Sequence, residues 1–354
     1  MFTINKNTIS SDSSTYFIAD IAANFDGDIE RAKDLIYLAA EAGANAAKFQ
    51  NFLAKTIVSD RAFKSIGRQL SHQSEWEESV YDVYDQASLP ILWTETLRLT
   101  CEDAGIDYMT TPYDLSLIPV LSKYVSAWKI GSGDITWHKM IEALSLENKP
   151  VLIATGASRM DEVILAMDVL LKHKKDVVLM QCNTNYTASL ENFKYIELNV
   201  LKEYRKLYPN VVLGLSDHTP GHATVLGAIA LGARVVEKHF TDDNNREGPD
   251  HKFSMNPGSW SDMVDRSREL EYALGAGVKK IMENEKESVV VQRRGLCASH
   301  DLEEGHILTS SDLVALRPCI EGGIEPYKES QIIGKKISCK IEKGLNITKE
   351  MIKN

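Results

Sequence analysis

Two histidines, two lysines and an aspartate stand where apolar runs end, and together such side chains could hold a cation and a small anion. His218 follows Val211-Val212-Leu213-Gly214-Leu215 within Ser216-Asp217-His218-Thr219, and His239 follows Ala233-Arg234-Val235-Val236 within Glu237-Lys238-His239-Phe240-Thr241. Neutral imidazoles ligate divalent ions, so two histidines within reach of each other form a candidate metal pair. Taken one at a time, each equally suits a hydrogen-bonded strand cap. Lys48 in Ala46-Ala47-Lys48-Phe49-Gln50 and Lys129 in Ala127-Trp128-Lys129-Ile130 stand toward the ends of apolar runs. A lone lysine there usually lays its stem on apolar surface and carries its head to water. Two at the same end of buried strands favour a compact cationic site for an anion.

The elements that must position these residues are short, β-branched runs alternating with amphipathic stretches. Phe17 to Ile21, Ala46 to Gln50, Asp107 to Thr111, Ala127 to Ile130, Val151 to Ala154 and Val177 to Cys182 read as six strands. The two histidine runs, with a helix from Ala223 to Leu231 between them, make eight. Parallel strands joined by a right-handed crossover lie side by side, which would bring His218 and His239 together. Eight strands, each followed by a helix such as Ile29 to Ala42 or Pro90 to Ala104, predict a (β/α)8 TIM barrel with its site at the C-terminal strand ends. A doubly wound open sheet is the competitor, but no GxGxxG follows the first strand.

Polar residues sort as the barrel requires. Asp20 and Asn24 follow strand one, Ser132 follows strand four, Thr155 ends strand five, and Asn183 and Tyr186 follow strand six. Ser216 and Glu237 precede the two histidines. The stretch from Leu53 to Leu89 is longer than an ordinary strand-to-helix loop and reads as a lid or rim.

The composition bounds the function. With 40 basic and 50 acidic residues the formal charge is −10, which provides no field for a nucleic-acid backbone or an anionic membrane. Five cysteines without CxxC spacing argue against a disulfide framework and a cysteine-rich zinc site, and fit a reducing compartment. Residues Met1 to Thr15 lack a basic start followed by an apolar run, and no apolar stretch reaches membrane-spanning length, so a cytoplasmic location is expected.

A length of 354 residues suits a barrel plus an appendage. Helical, charged sequence from Trp260 to Ser288 reads as the last barrel helix and a linker, and Val290 to Asn354 as a small, mainly β domain. The expected division is a barrel over residues 1–282, then linker and second domain over 283–354. The second domain repeats a phrase, Glu304-Gly305-His306-Ile307-Leu308-Thr309 and Lys343-Gly344-Leu345-Asn346-Ile347-Thr348, each copy followed by an acid, Asp312 or Glu350. That pattern predicts one β-turn-helix unit used twice.

At several spaced motifs the chain resembles the sialic acid synthase family, the nonulosonic acid synthases that add phosphoenolpyruvate to an N-acylated hexosamine. The motifs are Ala46-Ala47-Lys48-Phe49-Gln50, Thr110-Thr111-Pro112-Tyr113-Asp114, Trp128-Lys129-Ile130-Gly131-Ser132-Gly133-Asp134, Gly214-Leu215-Ser216-Asp217-His218-Thr219, Glu237-Lys238-His239-Phe240-Thr241 and Ser254-Met255-Asn256-Pro257. The C-terminal part is similar to that family's antifreeze-type (SAF) domain through Arg294, Leu316-Arg317-Pro318 and Gly334-Lys335.

The resemblance implies a divalent metal, Mn2+ or Mg2+, on His218 and His239. It implies phosphoenolpyruvate held by Lys48, Lys129 and Ser132, with Thr155, Tyr186 and Ser216 near its phosphate or carboxylate, and Glu237 among the substrate contacts. Asp20 takes the place of a Glu that organises or activates water, and Asp250 grips sugar hydroxyls. Arg317 resembles an arginine that reaches a partner subunit's site and binds the N-acyl group, which implies a domain-swapped homodimer.

The chain also departs from the family pattern. The usual Glu-Ile-Gly-x-Asn-His is here Asp20-Ile21-Ala22-Ala23-Asn24-Phe25, and Ile135-Thr136-Trp137 stands where familiar members place amides. Cys182-Asn183-Thr184-Asn185-Tyr186-Thr187 replaces Cys-Thr-Asn-x-Tyr-Pro. Two other functions stay open: a phosphoenolpyruvate-dependent synthase acting on a sugar phosphate, and a non-catalytic sugar-binding or regulatory barrel.

Overall fold

The computed structural model describes residues 1–353, apart from the side chains of Ser71 and Glu75; Asn354, the end of the expected second domain, lies outside the described residues. The chain divides into two compact units, Met1–Gly275 and the chain from Ala276 onward.

The first unit opens with a hairpin of β1 (Phe2–Ile4) and β2 (Asn7–Ile9). Eight parallel strands then close a barrel: β3 (Tyr16–Asp20), β4 (Ala46–Asn51), β5 (Asp107–Pro112), β6 (Trp128–Ile130), β7 (Val151–Ala154), β8 (Val177–Cys182), β9 (Val212–Asp217) and β10 (Ala233–His239). Each pairs with its sequence neighbour, and β10 pairs with β3 to complete the ring. This is the (β/α)8 architecture that the strand count predicts.

Alternation along each strand separates two cores. Side chains such as Ile18, Met109, Leu152, Val178, Val212 and Val235 fill the barrel, while Phe17, Ile153, Leu179, Leu213 and Val236 pack outward against the helices. Ile4 and Ile9 of the hairpin join the inner core. Below it, Tyr16 Oη donates to Asp107 Oδ2 at 2.6 Å. The crowding shows at Gly214 on β9, where an added Cβ would lie 2.8 Å from Val235 O and 2.9 Å from Met180 Cγ.

The helix Ile29–Glu41 shows how the outer layer is specified. Asp28 caps it, accepting from the backbone N–H of Glu30 and Arg31, and Ala32, Leu35, Ile36 and Ala39 form its buried stripe. The expected helix from Pro90 to Ala104 is a 3-10 turn, Ile91–Trp93, followed by an α-helix, Thr94–Asp103. The stretch between Leu53 and Leu89 holds three short helices, Ala54–Ile57, Asp60–Ile66 and Val80–Gln86, with a 3-10 turn at Ser71–Glu75. The last barrel helix is Pro257–Leu274, capped by Asn256. Among the described residues no helix is long and apolar enough to cross a membrane.

The second unit begins with a 3-10 turn, Glu283–Glu285, and a helix, Lys286–Gln292. Two small antiparallel pairs follow: β11 (Gly295–Ala298) with β12 (Leu313–Leu316), and β13 (Lys336–Ile337) with β14 (Ile352–Lys353). Leu296, Leu302, Leu308, Ile324, Ile337 and Ile347 supply its own core. The repeated phrase takes one conformation twice. Gly305 and Gly344 adopt φ of +86° and +84°, the left-handed region where glycine is favoured. The 3-10 turns Ser310–Asp312 and Lys349–Met351 then lead directly into β12 and β14.

Candidate active site

The C-terminal ends of the barrel strands enclose a cavity of about 360 Å3 lined by Asp20, Lys48, Lys129, Ser132, Tyr186, Ser216, His218, Glu237 and His239. Alternation explains the set. On β10, Val235, Glu237 and His239 face inward and Lys238 outward; on β9 and just beyond it, Ser216 and His218 face inward and Asp217 outward.

Charges at the floor are paired. Lys48 Nζ lies 2.7 Å from Asp20 Oδ2 and 3.8 Å from Glu237 Oε1. Lys129 Nζ donates to Glu237 Oε1 at 2.8 Å, and Ser216 Oγ donates to the same oxygen at 3.4 Å. Gln50 Nε2 donates to Asp20 Oδ2 at 3.1 Å. Burial pushes the Asp20 carboxyl up, but the Lys48 ammonium and the hydrogen bonds from Lys48 and Gln50 outweigh it and hold the group below its ordinary range. Burial likewise opposes the charge on Lys48, and Asp20 and Glu237 overcome it, raising the lysine. The buried Oε2 of Glu237 has no protein partner, which makes it a ready acceptor for a ligand hydroxyl or water.

The two histidines stand above this floor with ring centroids 5.4 Å apart. His218 Nδ1 lies 2.9 Å from the carbonyl oxygen of Asn183, so Nδ1 carries the proton and Nε2 presents a lone pair. Burial lowers both imidazoles, His239 to about 3. His239 is therefore neutral at pH 7, and its 3.6 Å approach to Asp20 Oδ2 is not an ion pair. The buried Nδ1 of His239 has no hydrogen-bond partner. Two neutral imidazoles, one with its tautomer fixed by a carbonyl, fit a divalent ion. Among the described residues no group of three His, Cys, Asp or Glu side chains is arranged to hold a metal. The pair would thus supply two protein ligands, and substrate or water the others.

Ser132 follows β6, and its Oγ accepts the Gly156 backbone N–H at 2.9 Å on the wall of the cavity. Close approach makes that contact possible: a Cβ on Gly156 would lie 2.5 Å from Thr184 Cγ2 and 2.9 Å from Ser132 Oγ. Tyr186 packs edge-on to His218 at 4.3 Å between ring centroids, and burial raises its phenol well above the ordinary value.

Asp250 lies in an adjoining chamber of about 140 Å3, walled by Phe52, Trp76, Tyr84, Tyr113 and Tyr186. Its carboxyl accepts from Ala23 N at 3.2 Å, yet burial pushes it up to about 7.

Thr155 does not join the site. One residue beyond Ala154, which faces the cavity, it points outward; its hydroxyl donates to Met180 O at 2.9 Å and accepts from Tyr204 Oη at 2.9 Å. An anion contact from this side chain is thus corrected to a strand-to-helix tie. Arg317 stands exposed in the second unit, directly after β12.

The residue reading missed Asp134 on the cavity wall, whose carboxyl burial raises to about 6. It also missed the aromatic wall given by Trp76 and Tyr84. Asp134 had a visible signal, two residues beyond Ser132; the aromatics lie in the irregular rim, where spacing indicates no direction.

Two family models and several known proteins match this chain. Residues 35–279 match the NeuB family, and residues 293–353 match the SAF domain. The chain is 33% identical over 325 residues to the N,N'-diacetyllegionaminic acid synthase of Campylobacter jejuni, covering 91% of this chain and 95% of the relative. It is 31% identical over 345 residues to the pseudaminic acid synthase of the same species, covering 96% of each. Among solved structures, the spore coat polysaccharide biosynthesis protein SpsE of Bacillus subtilis superposes with a TM-score of 0.65 at 26% identity, covering 100% of this chain and 99% of that one.

Proposed function

Because the chain belongs to the NeuB family and carries a SAF domain, we propose that it condenses phosphoenolpyruvate with an N-acylated hexosamine to give a nonulosonic acid and phosphate. The observation that carries this reading is the pairing of Lys48 with Asp20 and of Lys129 with Glu237 beneath two neutral imidazoles. Such a floor offers two ammonium groups to an anion and a carboxylate to a reacting water in one enclosed cavity.

In this reading Lys48, Lys129 and Ser132 bind the phosphate and carboxylate of phosphoenolpyruvate, and so fix C3 toward the acceptor. A divalent ion on His218 and His239, Mn2+ or Mg2+, would polarise the aldehyde oxygen of the open-chain sugar. C3 forms the new bond to the aldehyde carbon, whose oxygen takes up the proton that Asp20 Oδ2 receives from the attacking water. That water adds at C2, and phosphate leaves by cleavage of the C2–O bond as the new C2 hydroxyl gives its remaining proton to the departing phosphate and becomes the ketone. Glu237 Oε2 and Asp250 accept hydroxyls of the sugar.

The adjoining chamber favours an acceptor that is not phosphorylated. Its lining among the described residues includes the Asp250 carboxylate and no Lys or Arg, so a phosphate there would meet an acid and aromatic rings. N-acyl and deoxy groups suit those rings better. The reading also includes a reducing, cytoplasmic setting and a domain-swapped homodimer in which Arg317 serves the second copy's site. Mixing Arg317→Ala with His218→Ala chains should then restore activity.

The deciding experiment measures phosphate release from phosphoenolpyruvate with Mn2+ and a panel of N-acylated hexosamines, with and without a phosphate ester. Turnover confined to unphosphorylated acylamino sugars supports the proposal; preference for the esters overturns the acceptor class, and no release with any acceptor favours a binding protein.

A further inference from the structure

Asp217 and Lys238 lie within the histidine motifs, yet the reaction described above uses neither. They are direct register partners, the last pair of the β9–β10 ladder, and both are buried on the outer face, 2% and 1% exposed. Lys238 Nζ donates to Asp217 Oδ2 at 2.5 Å and to Thr219 O at 2.6 Å. Asp217 also accepts from Thr224 Oγ1 at 2.7 Å, Thr219 Oγ1 at 2.8 Å and Thr219 N at 3.3 Å.

The residue between Asp217 and Thr219 is His218, and the residue after Lys238 is His239. One ammonium therefore grips the chain on both sides of His218, and it comes from the strand that carries His239. Thr224 anchors the carboxylate in turn to the helix Ala223–Ala230.

Stability alone does not account for such a pair. Removing two charges from water offsets most of their attraction, and apolar side chains of similar volume commonly serve as well. A hydrogen-bonded ion pair supplies a fixed distance and direction between two backbones. That matters here because β9 ends at Asp217, and the Nδ1 contact to Asn183 O is the ring's own hydrogen bond.

We propose that the Asp217–Lys238 pair is a positioning device that sets the spacing of the His218 and His239 rings and thereby their joint affinity for a divalent ion. The inference rests on the reading that these imidazoles hold the ion.

The test is Mn2+ binding to the full-length protein without substrates, followed by the electron paramagnetic resonance signal of free Mn2+. The double variant Asp217→Asn/Lys238→Met removes both charges at similar volume, and His218→Ala is the control. The double variant should unfold at close to the native temperature and bind Mn2+ about 10- to 100-fold more weakly. In steady state its kcat should fall while its KM for phosphoenolpyruvate stays near native. Native Mn2+ affinity in the double variant, with loss in His218→Ala, overturns the positioning role alone. Native affinity in His218→Ala overturns the ion's assignment and this proposal with it. Should the double variant fail to fold, Thr224→Val, which keeps both charges and removes the hydroxyl that anchors the Asp217 carboxylate to the helix, decides between the same outcomes.

Discussion

Lys129 Nζ donates to Glu237 Oε1 across the barrel at 2.8 Å, while the other oxygen of that carboxylate is buried without a partner. The pair joins β6 to β10, so one end of the acid neutralises a cation and the other is open to ligand. An arriving phosphate or carboxylate thus competes with Glu237 for Lys129, and with Asp20 for Lys48.

Lys129→Met and Lys48→Met should therefore weaken phosphoenolpyruvate far more than sugar. Losing a charge-assisted contact costs about 1.5–3 kcal/mol, roughly one to two decades in affinity. Lys48→Met also strands Asp20 in a buried site, so its unfolding temperature should fall as well. Calorimetric titration with each substrate separates the effects, and equal losses for both would assign the lysines a structural role.

His218→Ala and His239→Ala should each abolish phosphate release while circular dichroism stays native. Both rings face the cavity and not the helix-packing core. A chelator should reproduce the loss in the native protein. Near-native turnover of either variant in metal-stripped buffer would remove the ion from the reaction.

Gly156→Ala should lower stability by about 1–3 kcal/mol, the usual cost of overpacking, and raise the KM for phosphoenolpyruvate. The added methyl would meet Thr184 and Ser132, and Ser132 has to move from its place on the cavity wall. An unchanged KM alongside the lost stability would take Ser132 out of anion binding.

Much of this site was legible because chemistry and periodicity coincide in β9 and β10. Apolar β-branched runs ending in His218 and His239 indicate both strand and direction. Thr155 was misread because β7 is apolar on both faces: Val151 to Ala154 show no alternation, and a shift of one residue moves a side chain from cavity to helix. The opening hairpin was invisible, since three-residue strands are too short to display a pattern. The partners of the lysines were hidden as well, because Lys129 and Glu237 are 108 residues apart and meet only once the barrel closes. The C-terminal repeat was readable because Gly305 and Gly344 mark a backbone geometry that few other residues adopt.

Asp250 should give the protein a pH dependence that Asp250→Asn removes. Burial raises its carboxyl from an ordinary 3.8 to about 7. A group raised on folding contributes stability fully below its unfolded value, and that contribution is lost as pH rises through the folded value. Between about pH 4 and pH 7 the native protein holds a proton that the unfolded chain has released, so this carboxyl makes stability fall with rising pH. At roughly 1.4 kcal/mol per pH unit, the whole effect is about 2–4 kcal/mol once solvent relaxation reduces it. Asp250→Asn should match the native unfolding free energy near pH 4 and exceed it above pH 7, measured by urea denaturation across that range. Sugar binding should change in the opposite sense. If the ionised carboxylate grips the hydroxyls, the native KM for sugar falls as pH rises through about 7, whereas the variant's is higher and flat. A native KM without a step near pH 7 would mean that Asp250 holds the sugar as a neutral acid, or does not touch it.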